Sequence, residues 1–349
     1  MPKKRLDYLD MAKGVGIFLV VLGHIEYLRE SAMRFIFSFH MPLFFMIGGI
    51  LTFKKMDTNL RPRDSIKKRA QGTLVPYASF SIILLTMRVF EYFVQPERIT
   101  GRELLRQIVD SVTGYGLHTL WFLPVYFGAG SLFFLLCRHF QNKTYCEWKI
   151  SGIILILTFL AFGLIYGFRL DQYPVAEGSL LVSAGMNVFI VLLRILIVLP
   201  FFLLGWHYGK AGAFPKKKGW LLGTGILLFA LGAILSQYVS ILDLHYLYIY
   251  PIHYVAAAAS CIGLLDILQV MPVSRVLSYL GQNSLIIMCT HAPLYVLYYV
   301  SLGMFFVRKL IPMADPVLYA AIALVTCAAE VPIIWFFNRH LKYLLGRKV

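Results

Sequence analysis

Three residues near the N-terminus have the types and spacing for proton-transfer chemistry, Lys13, His24 and His40, and Asp10 beside them is a candidate for binding substrate or donor. They sit in the run Asp10-Met-Ala-Lys13-Gly14-Val-Gly16-Ile-Phe-Leu-Val-Val-Leu-Gly23-His24 and in Phe39-His40-Met41-Pro42-Leu43-Phe44-Phe45, both otherwise apolar. Imidazole titrates close to neutral pH, so a neutral histidine can take a proton from a hydroxyl and return it to a leaving group. Ionisable groups in runs this apolar are costly unless they face a cavity or a partner, which makes them functional candidates.

The elements that must position them are membrane helices. The 349 residues are 59% hydrophobic and 14% charged, with mean hydropathy +0.72. That is too apolar for an ordinary soluble domain, and the apolar residues gather into runs of roughly twenty, the length of a membrane-crossing helix. The expected fold is all-α and polytopic: about ten transmembrane helices around a central polar cavity, with both termini cytoplasmic. The spans are expected near 11–28, 34–53, 74–94, 118–138, 150–168, 187–208, 219–241, 246–265, 282–305 and 316–338. The eighth is interrupted by Pro251 and His253, which leaves open whether it crosses fully or lies at the interface. The whole chain, 1–349, reads as one domain, without an internal repeat, a glycine-rich phosphate loop or a low-complexity tract. The basic start followed by an apolar run resembles a signal peptide but has no small-residue cleavage pattern, so it reads as a retained first span.

The net charge of +16 sits in short segments between the spans, as the positive-inside rule requires, and nucleic acid is not an expected partner. With the N-terminus inside, that side collects Lys3-Lys4-Arg5, the 54–73 and 138–149 segments, 209–218 and the Arg339–Lys348 tail. The outer side keeps only Arg29, Arg34, Arg98, Arg102, Arg106, Arg169, Arg308 and Lys309. Cys137, Cys146, Cys261, Cys289 and Cys327 show no paired spacing and read as packing residues.

Topology turns spacing into depth. Lys13 lies in the first turn of span one, and His24 is about 16 Å deeper on nearly the same helix face. His40, entering from the outer side in span two, is expected at the depth of His24, so the two imidazoles could face each other. Glu26 would orient an imidazole only if the helix end unwinds. The plainer account of each histidine is a buried ring bonded to a neighbouring carbonyl; two at one depth above a lysine favour function.

Further candidates lie along the chain. His118 and Trp121 open span four, where Trp121 is a site residue or an interface anchor. Arg88 and Arg194, in the outer halves of spans three and six, are candidates to hold an anion or to pair with Glu91 or a loop acid. Asn283 and Ser284 open span nine, where they could simply cap the helix, and His291 lies further in. Glu330 sits in span ten at a depth where it could pair with Lys13. Lys67-Lys68-Arg69 precedes span three; solvation and topology account for it, and a phosphate role is the alternative. No His-x-x-x-His, Cys-x-x-Cys or carboxylate cluster has metal-ligand spacing, so no metal is expected. No Gly-x-Ser-x-Gly elbow is present, which leaves a serine hydrolase unsupported.

These residues also carry a likeness. The Asp10-x-x-Lys13-Gly14 to Val-Val-x-Gly23-His24 run, followed by Phe37-x-Phe39-His40-Met41-Pro42-Leu43-Phe44-Phe45, resembles integral membrane acyltransferases of the acyltransferase 3 family. It is most similar to the compact branch of fucose 4-O-acetylase-like proteins. The likeness continues through Lys68-Arg69 with Leu74-Val75-Pro76-Tyr77, His118-x-x-Trp121-Phe122-Leu123-Pro124 and Gly281-x-Asn283-Ser284 followed by His291. Lys13 stands where many relatives have Arg, and Gly48-Gly49 stands where the family often has Ser-Gly.

The resemblance implies transfer of an acyl group, usually acetyl from acetyl-CoA, to a hydroxyl of a carbohydrate or other cell-envelope acceptor, lipid-linked or exported. The protein is then expected in the lipid bilayer of a bacterial cytoplasmic membrane. His24 is the expected general base, His40 its partner, and Lys13 the group that neutralises donor charge or positions His24. Direct transfer and an acyl-enzyme relay both fit. The rival from another class is a carrier exporting a lipid-linked sugar or small solute, with the histidines as proton relays.

Overall fold

Apolar runs this long leave a lipid-embedded backbone only its own carbonyls to bond, and every described element is helical. The computed structural model describes residues 6–347 apart from 27, 57–60, 96, 98, 141–145, 171–178, 213–216, 241–246, 248 and 249. Lys3-Lys4-Arg5, Arg98, Lys216, Lys348 and much of the aromatic stretch beginning at Tyr246 thus lie outside the described residues.

The helices are α1 (Asp7–Gly23), α2 (Glu30–Lys55), α3 (Pro62–Val94), α4 (Gly101–Val112) and α5 (Phe122–Phe140), the last preceded by a 3-10 turn, His118–Trp121. They continue as α6 (Cys146–Gly167), α7 (Leu180–Ala211), α8 (Lys218–Ser236), α9 (Pro251–Val270), α10 (Arg275–Gln282), α11 (Ser284–Thr290), α12 (Val296–Leu310) and α13 (Asp315–His340). A 3-10 turn, Lys342–Leu345, follows. Among the described residues, 8 helices are long and apolar enough to cross a membrane: α2, α3, α5 with its 3-10 turn, α6, α7, α8, α9 and α13. The chain is a multi-pass integral membrane protein.

Two of the expected spans take a different form. The first is a helix of 17 residues that ends at Gly23, not at 28. The ninth, 282–305, is not one helix. Asn283 leaves helical geometry at φ −110°, ψ 11°, and the chain turns through residues 291–295 before α12 begins. Pro293 has no N–H to continue the ladder and disfavours helical backbone before it, and Tyr295 takes a left-handed φ of 60°. The eighth is a continuous helix that starts at Pro251, in the first turn where a missing N–H costs nothing.

Contacts divide the chain into two compact units, Met1–Lys55 with Leu204–Trp335 and Met56–Leu203 with Phe336–Val349. In the first, Leu9, Met11 and Ala12 of α1 bury against Phe39, Leu43 and Met46 of α2 and Cys261 and Leu265 of α9. Glycine lets backbones touch where side chains would intervene: a Cβ on Gly14 would strike the Leu277 carbonyl, and one on Gly281 the Asp10 carbonyl. Helices α1 and α10 are therefore locked by reciprocal small-residue contact, a common device where lipid offers no hydrophobic drive between helices. In the second unit, Phe80 stacks on Phe337 at 5.3 Å. Asn187 of α7 donates to Asp110 of α4 at 2.6 Å.

Candidate active site

In the first unit three imidazoles are built the same way. Each ring Nδ1 lies against the carbonyl four residues earlier: His24 on Val20 at 2.7 Å, His40 on Ile36 at 2.7 Å and His291 on Ile287 at 2.6 Å. A carbonyl only accepts, so each Nδ1 must carry the proton and donate it. The neutral ring then keeps its lone pair on Nε2, the tautomer a general base needs. The same backbone bond fixes the tautomer of each ring.

The three differ in access. His24 follows the last residue of α1, its N–H on the Val21 carbonyl at 3.3 Å, and the residue as a whole is exposed. His291, just past α11, is fully buried, and its Nε2 has no hydrogen-bond partner. His40 is buried inside α2, two residues before Pro42, which deprives the Ser38 carbonyl of its helical donor. The His24 and His291 rings meet edge-on, centroids 5.2 Å apart at 76°. The aromatic neighbour between the other two is Phe37, at 6.4 Å from His24 and 5.0 Å from His40. His24 thus has His291 as its edge-on imidazole neighbour, and His40, with Phe37 as its ring neighbour, lies within electrostatic range of His24.

Lys13 and Glu330 are not paired in the way their depths suggested. Lys13 Nζ lies 2.7 Å from Asp10 Oδ1 on its own helix, one turn back. Glu330, fully buried, meets the Thr290 hydroxyl at 2.6 Å, and its other oxygen has no hydrogen-bond partner. Thr290 also bonds the Ile286 carbonyl at 2.8 Å and directly precedes His291, so a chain of polar groups reaches from α13 to the histidine pair. Asn283 closes α10: its side-chain amide donates to the Tyr279 carbonyl at 2.9 Å and makes no cap bond to α11. Ser284 opens α11.

The remaining candidates belong to the second unit. Arg194 is 1% exposed, with its guanidinium over the Tyr115 ring at 4.7 Å and the Trp121 ring at 5.2 Å. Trp121 is buried, with the Arg194 guanidinium over its ring. Arg69 lies over Phe134 at 5.2 Å, while Lys67 and Lys68 are exposed. Arg88 pairs with Glu91 at 2.6 Å, with its other nitrogen 3.5 Å from His118 Nε2. His118 is exposed, at a left-handed φ of 49°. Burial pushes the Asp110 carboxyl above its usual range, against the opposing pull of the Asn187 amide and Arg106.

Three participants escaped the sequence reading. His253, buried in the first turn of α9, lies within electrostatic range of His40; its position in an apolar helix after Pro251 was the available signal. Tyr115 sits in a glycine-flanked loop, and nothing in its spacing links it to Arg194. Tyr208 donates to Asp266 at 2.6 Å, a pairing across 58 positions that no local pattern shows. Among the described residues no group of His, Cys, Asp or Glu is arranged to hold a metal ion.

Neither a curated protein nor a solved structure matches the chain. The sequence profile of the acyltransferase 3 family, described as an acyltransferase domain, matches residues 6–335. The match takes in both units and every candidate residue above, and the chain belongs to that family.

Proposed function

With membership of an acyltransferase family as premise, we propose that the protein is an O-acetyltransferase. It moves acetyl from acetyl-CoA to a hydroxyl of a cell-envelope carbohydrate or similar acceptor, with His24 as general base. The observation that carries this reading is the Val20 carbonyl on His24 Nδ1, which leaves Nε2 as the accepting nitrogen. In the proposed step Nε2 takes the acceptor's hydroxyl proton as its oxygen attacks the thioester carbonyl, then returns that proton to the departing sulfur. His291 positions His24 through their edge contact, and His40 supports the same region through Phe37.

The donor is proposed to approach from the cytoplasmic side. Exposed Lys67 and Lys68 suit phosphate binding there, and Lys13, neutralised by Asp10, orders the base of α1. Ten crossings with both termini cytoplasmic, in a bacterial cytoplasmic membrane, complete the proposal; α1 and the broken 284–310 segment supply the two crossings beyond the eight long helices. Within the family the proposed place is the compact fucose 4-O-acetylase-like branch, on the motif spacing given above.

The test is acetyl transfer from radiolabelled acetyl-CoA to envelope glycans by the purified protein in lipid. His24→Ala should abolish transfer and leave the melting temperature and elution profile unchanged. Wild-type transfer by that variant refutes the assignment of His24.

A further inference from the structure

Helix α4 carries its polarity the wrong way round for a helix facing water. Its inward side is polar: Asp110 accepts from Asn187 at 2.6 Å, the Ser111 carbonyl accepts from the Tyr77 hydroxyl at 2.5 Å, and Gln107 Oε1 is buried. Its outward side is apolar: Leu105, Ile108 and Val112 are exposed at 51%, 37% and 82%. These three recur at helical spacing on one face, with Arg102 and Arg106 bordering them one turn apart. A helix packed on a water-facing surface buries its apolar stripe and exposes its polar one; α4 does the opposite.

The connections confine it. Only residues 95–100 separate α4 from α3, and only 113–117 separate it from the turn opening α5. Five or six residues reach at most roughly 20 Å, and both neighbouring helices are long and apolar enough to cross a membrane. The last turns of α3 also expose Phe90 at 68% and Phe93 at 76%, so apolar surface continues up to the start of the connection. Helix α4 therefore stays at a bilayer surface.

We infer that α4 lies in the plane of the membrane, with Leu105, Ile108 and Val112 inserted at the boundary between headgroups and acyl chains. Arg102 and Arg106 then sit at the level of the lipid phosphates, whose charge they complement. The occupant of the apolar stripe is lipid. The Thr113–Gly116 turn that follows carries Tyr115, so the same anchor holds one wall of the Arg194 site at headgroup level. On the function proposed above, that is the level a lipid-linked acceptor would travel.

The test is spectroscopic and independent of catalysis. Spin labels are placed one at a time by Leu105→Cys, Ile108→Cys, Val112→Cys and Glu103→Cys in the full-length protein carrying Cys146→Ser. Each is reconstituted in vesicles of phosphatidylethanolamine and phosphatidylglycerol. Relaxation by dissolved oxygen should exceed that by a water-soluble nickel chelate at 105, 108 and 112, with the reverse at 103. Nickel dominance at the first three positions would place the stripe in water. Relaxation by neither reagent would place it under a protein partner or a second copy. Either result overturns the inference.

Discussion

The two compact units hold their ionisable groups by different means. In the first, imidazoles are tied by Nδ1 to their own helix backbone, which leaves Nε2 as the accepting nitrogen. In the second, guanidinium groups lie on aromatic faces, Arg194 on Tyr115 and Trp121 and Arg69 on Phe134. A base must keep a lone pair accessible, so it is oriented by a single strong local bond. A buried cation must be stabilised where water is excluded, and ring faces do so without neutralising its charge. On the function proposed above, the difference corresponds to a division of labour: proton handling in the first unit, charge placement in the second.

The sharpest way to break that comparison is at His291. If its edge contact with His24 positions the base, His291→Ala should lower kcat by about 10²-fold, within the range of acid–base assistance. KM for acetyl-CoA and the melting temperature should stay near wild type, and a kcat equal to wild type would reduce His291 to packing. Next in size is Gly281→Ala, whose methyl meets the Asp10 carbonyl. Forcing α10 off α1 should cost about 1–3 kcal/mol, as overpacking does, read as a lower denaturation midpoint in detergent. Arg194→Lys tests the second unit. Lysine keeps the charge and loses the planar stack, so a loss of about 1–2 kcal/mol of stability is expected. An accompanying rise in KM for acetyl-CoA would extend the role of Arg194 to the donor, whereas an altered kcat with normal KM would contradict the division of labour. The smallest effect should come from Lys13→Met, which breaks a part-exposed ion pair and should cost about 1 kcal/mol in thermal stability.

Much of this was legible in the sequence. Runs of twenty apolar residues announce membrane helices because lipid forces the backbone to bond within each segment, and eight long helices stand among the described residues. The histidines stood out because imidazole is rare in such runs, and the motif order resembles the family whose profile matches residues 6–335. The break at 291–295 was less legible: hydropathy is read over a span-length window, and the five residues His291 to Tyr295 are flanked by apolar runs on both sides. Pro293 was the visible cue, but Pro42, Pro200 and Pro332 sit inside helices that continue.

The sequence by itself determined the class, most of the helical segments and the candidate residue types, since those follow from composition, run length and local spacing. Tertiary structure alone decided the partners. Lys13 and Glu330 share a suggested depth yet bind Asp10 and Thr290, because depth constrains one coordinate and pairing depends on three. His24 meets His291 across 267 positions of sequence, since a glycine-to-backbone contact brings α10, and with it the chain leading into α11, against α1. Which nitrogen of each ring carries the proton was likewise a matter of geometry, fixed by a carbonyl four residues back.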